Sequence, residues 1–265
     1  MHTLNKNAPI GFFDSGVGGL TVLKQVKQFL PNESFIFFGD TLHVPYGDKT
    51  KEELLSYSKN ILHFFEQKNV KAVVMACNTT SSVIYDDIKD KYDFKIYPLV
   101  QSCAKVFSQL NINKLGVFAT KATITSKAYE KEIHKYNQSM QVIGQFCPDW
   151  VKIVENNETQ APDKIEIIKK DLEKMLNSNP DKIVLGCTHY PYLLDILTKY
   201  APKELFIDPA IYFAKFIKED LENAELLCKK EDRFEEYYVS SSPEKFEIAS
   251  KMFYDLSQPA KKYSF

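Results

Sequence analysis

Short apolar runs alternate with amphipathic stretches along almost the whole chain. Apolar runs bounded by polar residues predict buried strands, whereas apolar residues spaced three or four apart predict helices. The predicted strands are residues 10–13, 34–38, 71–76, 95–99, 114–119, 141–146, 181–186 and 204–207. The predicted helices are residues 20–29, 51–67, 81–91, 101–110, 124–136, 163–176, 192–200, 210–227 and 243–256. This alternation predicts an α/β fold of mainly parallel sheets with helices on both faces.

The chain also contains an internal repeat. Residues 10–15 (IGFFDS) resemble residues 115–120 (LGVFAT), and residues 73–79 (VVMACNT) resemble residues 183–189 (IVLGCTH). The two offsets are nearly equal, which favours a duplicated unit over chance. We therefore expect two similar domains. The first comprises residues 1–97 completed by the tail 208–265, and the second comprises residues 98–207.

The overall charge excludes several function classes. Thirty-four basic side chains against 35 acidic ones leave a net charge of −1, so no long-range field favours nucleic acid or an anionic membrane. No window approaches the roughly 18 apolar residues of a spanning helix. Residues 1–7 lack the apolar core of a signal peptide, which predicts a cytoplasmic protein.

Cysteines and histidines give no sign of a metal centre. The five cysteines are an odd number without a CxxC pair, so neither a disulfide framework nor a structural zinc site is expected. The five histidines show no metal-ligand spacing, and we predict no metal.

Glycine is scarce, at nine residues or about 3% of the chain, roughly half its usual share. Such sparing use predicts glycine where turns or ligand loops need backbone freedom or close approach. Gly116 marks the repeat, Gly144 has no predicted role, and the chain after Gly186 is predicted to be mostly helical. The glycines predicted to lie in or beside ligand loops are at positions 11, 16, 18, 19, 39, 47 and 186.

Two cysteines stand at the ends of predicted strands, where parallel sheets collect ligands. Cys77 is followed by Asn78 and Thr79, and Cys187 by Thr188 and His189, residues that suit a helix start and a bound anion. His189 is close enough in sequence to exchange a proton with the Cys187 thiol. The cysteines predicted to be ordinary buried thiols are Cys103, Cys147 and Cys228.

A glycine-rich loop at residues 16–19 follows the first predicted strand. The third glycine of a GxGxxG fingerprint would fall at Thr21, and no GK[ST] occurs, so a phosphate cofactor is disfavoured. The loop instead offers Asp14, Ser15 and a backbone that a small ligand can approach closely. The alternative is a tight strand-to-helix turn capped by Ser15.

A second loop spans residues 39–48 and contains Pro-Tyr-Gly, which alone is compatible with a simple turn. The single arginine of the sequence, Arg233, lies far from these loops. A carboxylate ligand would therefore be bound by hydroxyls, amides and backbone N–H groups. Suitable donors are Ser15, Asn78, Thr79 and Thr188.

Glu155 follows the apolar stretch 150–154. Judged from the neighbouring residues alone, it is interpreted as a solvated loop residue.

Together, these motifs resemble the glutamate racemase family over nearly the whole chain. The matching segments are residues 13–22, 45–47, 76–79 and 185–191, with a further family segment at 146–148 and 154–155. The resemblance implies two similar α/β domains facing one cleft that holds the active site. It also implies a cofactor-independent isomerase that interconverts L-glutamate and D-glutamate for peptidoglycan synthesis, working as a homodimer.

The resemblance assigns roles residue by residue. Inverting an α-carbon needs a base on each face, and Cys77 and Cys187 are the implied pair. Asp14 assists near Cys77, and His189 and Glu155 assist near Cys187. The implied substrate contacts are Asp14, Ser15, Tyr46, Gly47, Asn78, Thr79, Thr120, Thr123, Thr188 and His189.

The chain departs from the commoner family pattern at residues 42–43, 48–50, 149–150 and 152, which leaves the dimer geometry open. Three other functions are considered. An aspartate racemase is disfavoured because such enzymes usually place Glu at the position of His189. A Cys/His acyl hydrolase would use Cys187 and His189 but leaves Cys77 unexplained. An amino-acid-binding regulatory protein would need neither thiol.

Overall fold

The computed structural model describes residues 5–229 and 232–265, so the predicted domain start at residue 1 lies outside the described part. Every predicted strand is present. The strands are β1 (Ile10–Asp14), β2 (Phe35–Gly39), β3 (Ala72–Met75), β4 (Lys95–Pro98), β5 (Lys114–Ala119), β6 (Gln141–Phe146), β7 (Lys182–Gly186), β8 (Phe206–Ile207), β9 (Glu235–Val239) and β10 (Lys261–Lys262).

The strands form two sheets in which every described pairing is parallel. The larger has the order β10-β9-β2-β1-β3-β4 and the smaller the order β6-β5-β7-β8. The central strands β1 and β3 are buried on both faces, as expected when helices cover a parallel sheet. The predicted α/β class with two parallel sheets is confirmed.

The tail adds two strands to the larger sheet and is not mostly helical. Strand β9 inserts beside β2, with Phe35 paired to Glu235, and β10 adds a further strand. The prediction missed β9 because its first two residues are glutamates. Lys27 binds the Glu235 carboxylate and Lys68 binds that of Glu236, which lets a charged segment complete the sheet.

The helices cover both sheets. They are α1 (Leu20–Phe29), α2 (Lys51–Gln67), α3 (Asn78–Ile88), α4 (Leu99–Phe107), α5 (Lys121–Ser126), α6 (Ala128–His134), α7 (Trp150–Glu155), α8 (Pro162–Leu176), α9 (Leu194–Leu197), α10 (Pro209–Asn223) and α11 (Pro243–Ser250). Local sequence fixes several starts: Thr50 and Glu53 form a reciprocal capping box, and Asp208 accepts the Ala210 N–H before α10.

Some helices differ from their predictions. The predicted helix 124–136 breaks at Lys127, whose φ of 56° is left-handed, and becomes α5 and α6. Helix α7 was not predicted, because one and a half turns are too short to show a helical period. The predicted helix 192–200 is a 3₁₀ turn followed by α9, and α11 ends at Ser250, short of residue 256.

One apolar core connects the two sheets. It contains Phe12 and Val74 of the larger sheet, Val117 and Leu185 of the smaller, and Phe213 of α10. Helix α10 packs against both α1 and α4. The division into 1–97 with 208–265 and 98–207 remains a proposal, with β4 ending at Pro98, one residue beyond the boundary.

Glycine serves close packing in this fold, since no glycine in the described residues has positive φ. A Cβ on Gly11 would lie 2.7 Å from the Phe65 ring, so Gly11 is a packing residue of β1 and not part of a ligand loop. Gly144 has the role that its sequence did not show: it lies beneath Ile124 of α5. Within the described residues, no helix combines the length and apolar character needed to cross a bilayer.

Candidate active site

A cavity of about 420 Å³ lies where the carboxyl ends of strands from both sheets meet. Most of the predicted site residues line it. They are Ser15, Tyr46, Gly47, Cys77, Asn78, Thr79, Thr120, Glu155, Cys187, Thr188 and His189. Asp14 and Thr123 are buried behind this wall. The lining residues that were not predicted as site residues include Val44, Asp48, Lys121, Phe146, Cys147, Pro148, Asp149, Val151 and Lys152.

Cys77 stands between β3 and α3, with its thiol 4.0 Å from the Ser15 hydroxyl oxygen. Its carbonyl accepts the Thr80 hydroxyl at 3.1 Å, which fixes the start of the helix. Burial, followed by the nearby Asp14 carboxylate, raises the pKa of the Cys77 thiol to about 12. At neutral pH, Cys77 therefore keeps its proton.

Asp14 ends β1 beneath the glycine loop. Its Oδ2 accepts the Gly16 N–H at 3.0 Å, whereas Oδ1 has no hydrogen-bond donor among the described residues. Burial raises the pKa of Asp14, opposed first by the charge of His189 and then by the Gly16 N–H. The carboxyl group thus acts on the cavity through its field on Cys77 rather than by forming part of the wall.

Cys187, His189 and Glu155 form a second chain of contacts. His189 Nδ1 lies 3.8 Å from Cys187 Sγ, and His189 Nε2 lies 3.1 Å from Glu155 Oε1. Burial lowers the pKa of His189, but the hydrogen bonds to Cys187 and Glu155 outweigh it and raise the pKa to about 10. Glu155 is exposed, as expected of a solvated residue, but it ends α7 instead of lying in a loop, and its carboxylate contacts His189.

The glycine loop of the larger sheet lies directly against the Cys187 loop of the smaller. A Cβ on Gly18 would lie 2.4 Å from Thr188 Oγ1 and 2.7 Å from His189 Cε1. The Thr21 hydroxyl donates to the Gly18 carbonyl at 2.8 Å and lies 3.4 Å from the Thr188 carbonyl. The two predicted ligand loops therefore share one wall.

A row of threonine hydroxyls forms another part of the site. Thr79 Oγ1 lies 2.9 Å from Thr120 Oγ1, which lies 3.1 Å from Thr123 Oγ1. Gly47 packs on Thr120, since a Cβ there would lie 2.9 Å from the threonine Cβ. Thr123 thus supports Thr120 from behind, and its direct contact with a ligand stays a prediction.

The Tyr46 hydroxyl is engaged within the protein. It donates to Asp40 Oδ2 at 2.5 Å, and Asp40 Oδ1 accepts the Ser240 hydroxyl at 2.6 Å. His43 Nδ1 adds a third contact at 2.8 Å and stacks its ring on Tyr57. Because the Tyr46 hydroxyl is bonded to Asp40, the backbone of the Pro-Tyr-Gly loop is the part that can contact a ligand. The sequence reasoning missed Asp40 as a site residue, although it stands directly after a strand.

The cysteines form no disulfide in this fold. All five are free thiols, as predicted, and Cys147 lines the cavity while Cys103 lies in the core. No group of three or more His, Cys, Asp or Glu side chains suited to a metal ion occurs in residues 5–229 and 232–265.

Known proteins with similar sequence and structure are racemases. Residues 20–216 match the family model described as Asp/Glu/Hydantoin racemase. Glutamate racemase of Thermoanaerobacter sp. (strain X514) is 39% identical over 246 residues, 92% of each chain. Glutamate racemase 2 of Caldanaerobacter subterraneus subsp. tengcongensis is 40% identical over 247 residues, again 92% of each chain. The solved glutamate racemase of Francisella tularensis, in complex with D-glutamate, is 32% identical with a TM-score of 0.89 over 98% of each chain.

Proposed function

We propose, from the premise that this chain belongs to the Asp/Glu/Hydantoin racemase family, that its two cavity thiols interconvert L-glutamate and D-glutamate. The chain is an amino-acid racemase, and its relatives at about 39% identity are glutamate racemases. The observation that carries the two-thiol proposal is that Cys77 and Cys187 follow strands of different sheets and line the same cavity.

The reaction is a balanced exchange of protons. A thiolate on one face removes the Cα proton, and the electron pair of the broken C–H bond passes into the adjacent carboxylate. The thiol on the other face then donates its proton to the opposite side of Cα. The donor is left as a thiolate, so one turnover exchanges the protonation states of the two sulfurs, and the reverse reaction starts from the exchanged state.

The two thiols have different neighbours. Cys77 faces a carboxylate, and its raised pKa keeps it a proton donor. Cys187 contacts an imidazole whose raised pKa lets it hold a proton, so the Cys187 proton can pass to His189 Nδ1. Glu155 stabilises the resulting imidazolium through Nε2. The cavity thus has a protonated thiol at Cys77 and a proton acceptor, His189, beside the sulfur of Cys187.

Forming a carbanion beside a carboxylate is costly without a cofactor. Donors fixed in the cavity lower that cost, because they need no reorganisation as charge develops. Ser15, Thr79 and Thr188 supply hydroxyls, and Asn78 supplies an amide. We propose that these groups bind the substrate carboxylates and that the reaction uses no cofactor.

Three further points rest on resemblance to the family. The D-glutamate would enter peptidoglycan synthesis, the chain would act as a homodimer, and it would work in the cytoplasm. Rescue of a bacterium that requires D-glutamate tests the first point. Light scattering of the purified protein tests the second, and fractionation of the producing cells tests the third.

The decisive experiment is racemisation of L-glutamate in D2O. We expect D-glutamate with deuterium at Cα, because the donating thiol exchanges its proton with solvent. Cys77→Ser and Cys187→Ser each lose the activity, whereas Cys103→Ser, which changes a buried thiol outside the cavity wall, keeps it. Retention of the parent rate by both cavity variants would refute the two-thiol mechanism.

The same preparation separates the alternatives. Faster turnover of aspartate than of glutamate would indicate an aspartate racemase. The contact between Cys187 and His189 is also what a Cys/His hydrolase needs, and an acyl adduct on Cys187 in the mass spectrum would indicate that class. Binding without deuterium incorporation would indicate an amino-acid-binding regulatory protein.

A further inference from the structure

Asn78, at the start of α3, has one fixed partner and one unused donor. The Tyr129 hydroxyl donates to Asn78 Oδ1 at 2.9 Å. The Nδ2 group is buried and has no acceptor among the described residues, and Asn78 lines the cavity. A buried amide N–H without an acceptor destabilises the folded state, so the unpaired Nδ2 of Asn78 needs an explanation, and a bound ligand could supply the acceptor.

The hydroxyl of Tyr129 decides which end of the amide faces the cavity. Tyr129 is itself buried, and Asn78 is the one hydrogen-bond partner of its hydroxyl within the described part of the chain. If the amide were turned over, the hydroxyl would accept from Nδ2 and its own hydrogen would lose its acceptor. The bond therefore keeps Oδ1 toward Tyr129 and leaves the N–H donors free for a ligand in the cavity that Asn78 lines.

Resting on the function proposed above, we infer that Tyr129 is a positioning residue that presents the Asn78 amide as a donor to a substrate carboxylate. The ligand chemistry agrees, because a carboxylate accepts hydrogen bonds and offers none. The cavity wall contains no arginine, and its two lysines, Lys121 and Lys152, are exposed, so a buried neutral donor with a fixed orientation contributes to carboxylate binding. Tyr129 acts through Asn78 and does not itself line the cavity.

The path of the chain explains how Tyr129 reaches Asn78. The left-handed turn at Lys127 ends α5 and starts α6 in a new direction, and the Ser126 hydroxyl accepts the Ala128 N–H at 3.1 Å. Helix α6 then packs on α3. Since α3 follows β3 of the larger sheet and α6 follows β5 of the smaller, the bond joins the two proposed domains at the substrate.

The test is a double-mutant cycle on glutamate racemisation. We expect Tyr129→Phe to raise KM for both enantiomers by about tenfold with a smaller change in kcat, the loss typical of a hydrogen bond to a charged group. In the Asn78→Ala background, the same substitution should change KM less than about twofold, because its target is gone. A KM equal to that of the parent enzyme, or an equal effect in both backgrounds, would overturn the inference.

Two further variants separate orientation from stability. Tyr97→Phe removes another buried tyrosine hydroxyl, which donates to Asp220 at 2.6 Å away from the cavity, and should lower stability without raising KM. Asn78→Asp keeps the acceptor for Tyr129 but removes the donor that faces the cavity. It should raise KM at least as much as Asn78→Ala, which tests the orientation even if Tyr129→Phe does not fold. A smaller rise would contradict the proposed orientation.

The parent enzyme separates this inference from the proposed function. If the parent protein does not racemise glutamate, the proposed function fails before any variant is compared. If it does, and Tyr129→Phe binds substrate as the parent does, the role of Tyr129 fails alone.

Discussion

Gly18 and Thr188 touch so closely that a Cβ on the glycine would lie 2.4 Å from the threonine hydroxyl oxygen. Gly18 belongs to the loop after β1 of the larger sheet, and Thr188 to the loop after β7 of the smaller. The relative position of the two loops is therefore set by a contact that has no room for a side chain. The same Cβ would lie 2.7 Å from the His189 ring, so this contact also fixes the position of His189.

Gly18→Ala is expected to reduce racemisation strongly. The added methyl group must push Thr188 and His189, and displacement of a catalytic group by about 1 Å costs on the order of 100-fold in rate. We expect kcat/KM to fall at least about tenfold in a polarimetric assay. Gly144→Ala is the control, because its Cβ would meet only the flexible end of Ile124 at 3.1 Å. Parent-like activity in Gly18→Ala would show that the loop contact is not restrictive.

The stability of the protein should depend on pH through His189. Its folded-state pKa of about 10 lies above the ordinary value of 6.5, so protonation favours the folded state. This contribution is fully present below pH 6.5 and is lost as the pH rises to about 10. In thermal unfolding from pH 6 to 10, the Tm of the parent should exceed that of His189→Gln at low pH, and this difference in Tm should shrink as the pH rises. His63→Gln is the control, because His63 is exposed. A difference in Tm between the parent and His189→Gln that stays constant with pH would contradict the raised pKa of His189.

Asp40→Asn should loosen the Pro-Tyr-Gly loop. The carboxylate accepts from Tyr46, Ser240 and His43, and an amide has only one oxygen to replace two. A buried hydroxyl left without an acceptor costs about 1–3 kcal/mol, which denaturant unfolding would detect, and KM should rise as the loop moves. Asp86→Asn breaks an exposed pair with Lys89 and should cost less than about 1 kcal/mol. An equal loss of unfolding free energy in the two variants would be evidence against the role of Asp40 as the anchor of the loop.

The sequence predicted the architecture well because the signal there is local. Runs such as 72–75 are apolar throughout. Cys187 follows β7 directly and Cys77 follows β3 after one residue, so the order of residues alone places both thiols at strand ends. The repeat predicted two similar units, and the resemblance to the racemase family implied that the two strand ends share one cleft; both cysteines do line one cavity.

What the sequence did not predict depends on contacts between distant residues. Nothing near Asp40 shows that Ser240 will reach it from 200 positions away. Tyr129 lies within a segment predicted as one continuous helix, and its bond to Asn78 requires the break at Lys127. Glu155 is similar, because its carboxylate finds His189 only once α7 has formed and the two sheets have packed together.

The insertion of β9 beside β2 has a consequence for the order in which the molecule is made. Phe35 pairs with Glu235, so a ribosome adds 200 residues after β2 before its partner exists. At about 5–20 residues per second, that is roughly 10–40 s. The smaller sheet, whose strands span Lys114–Ala119 to Phe206–Ile207, is synthesised within that interval. During translation, β2 therefore has one open edge and Asp40 lacks Ser240, so the anchor of the Pro-Tyr-Gly loop is completed only after the last part of the described chain has been made.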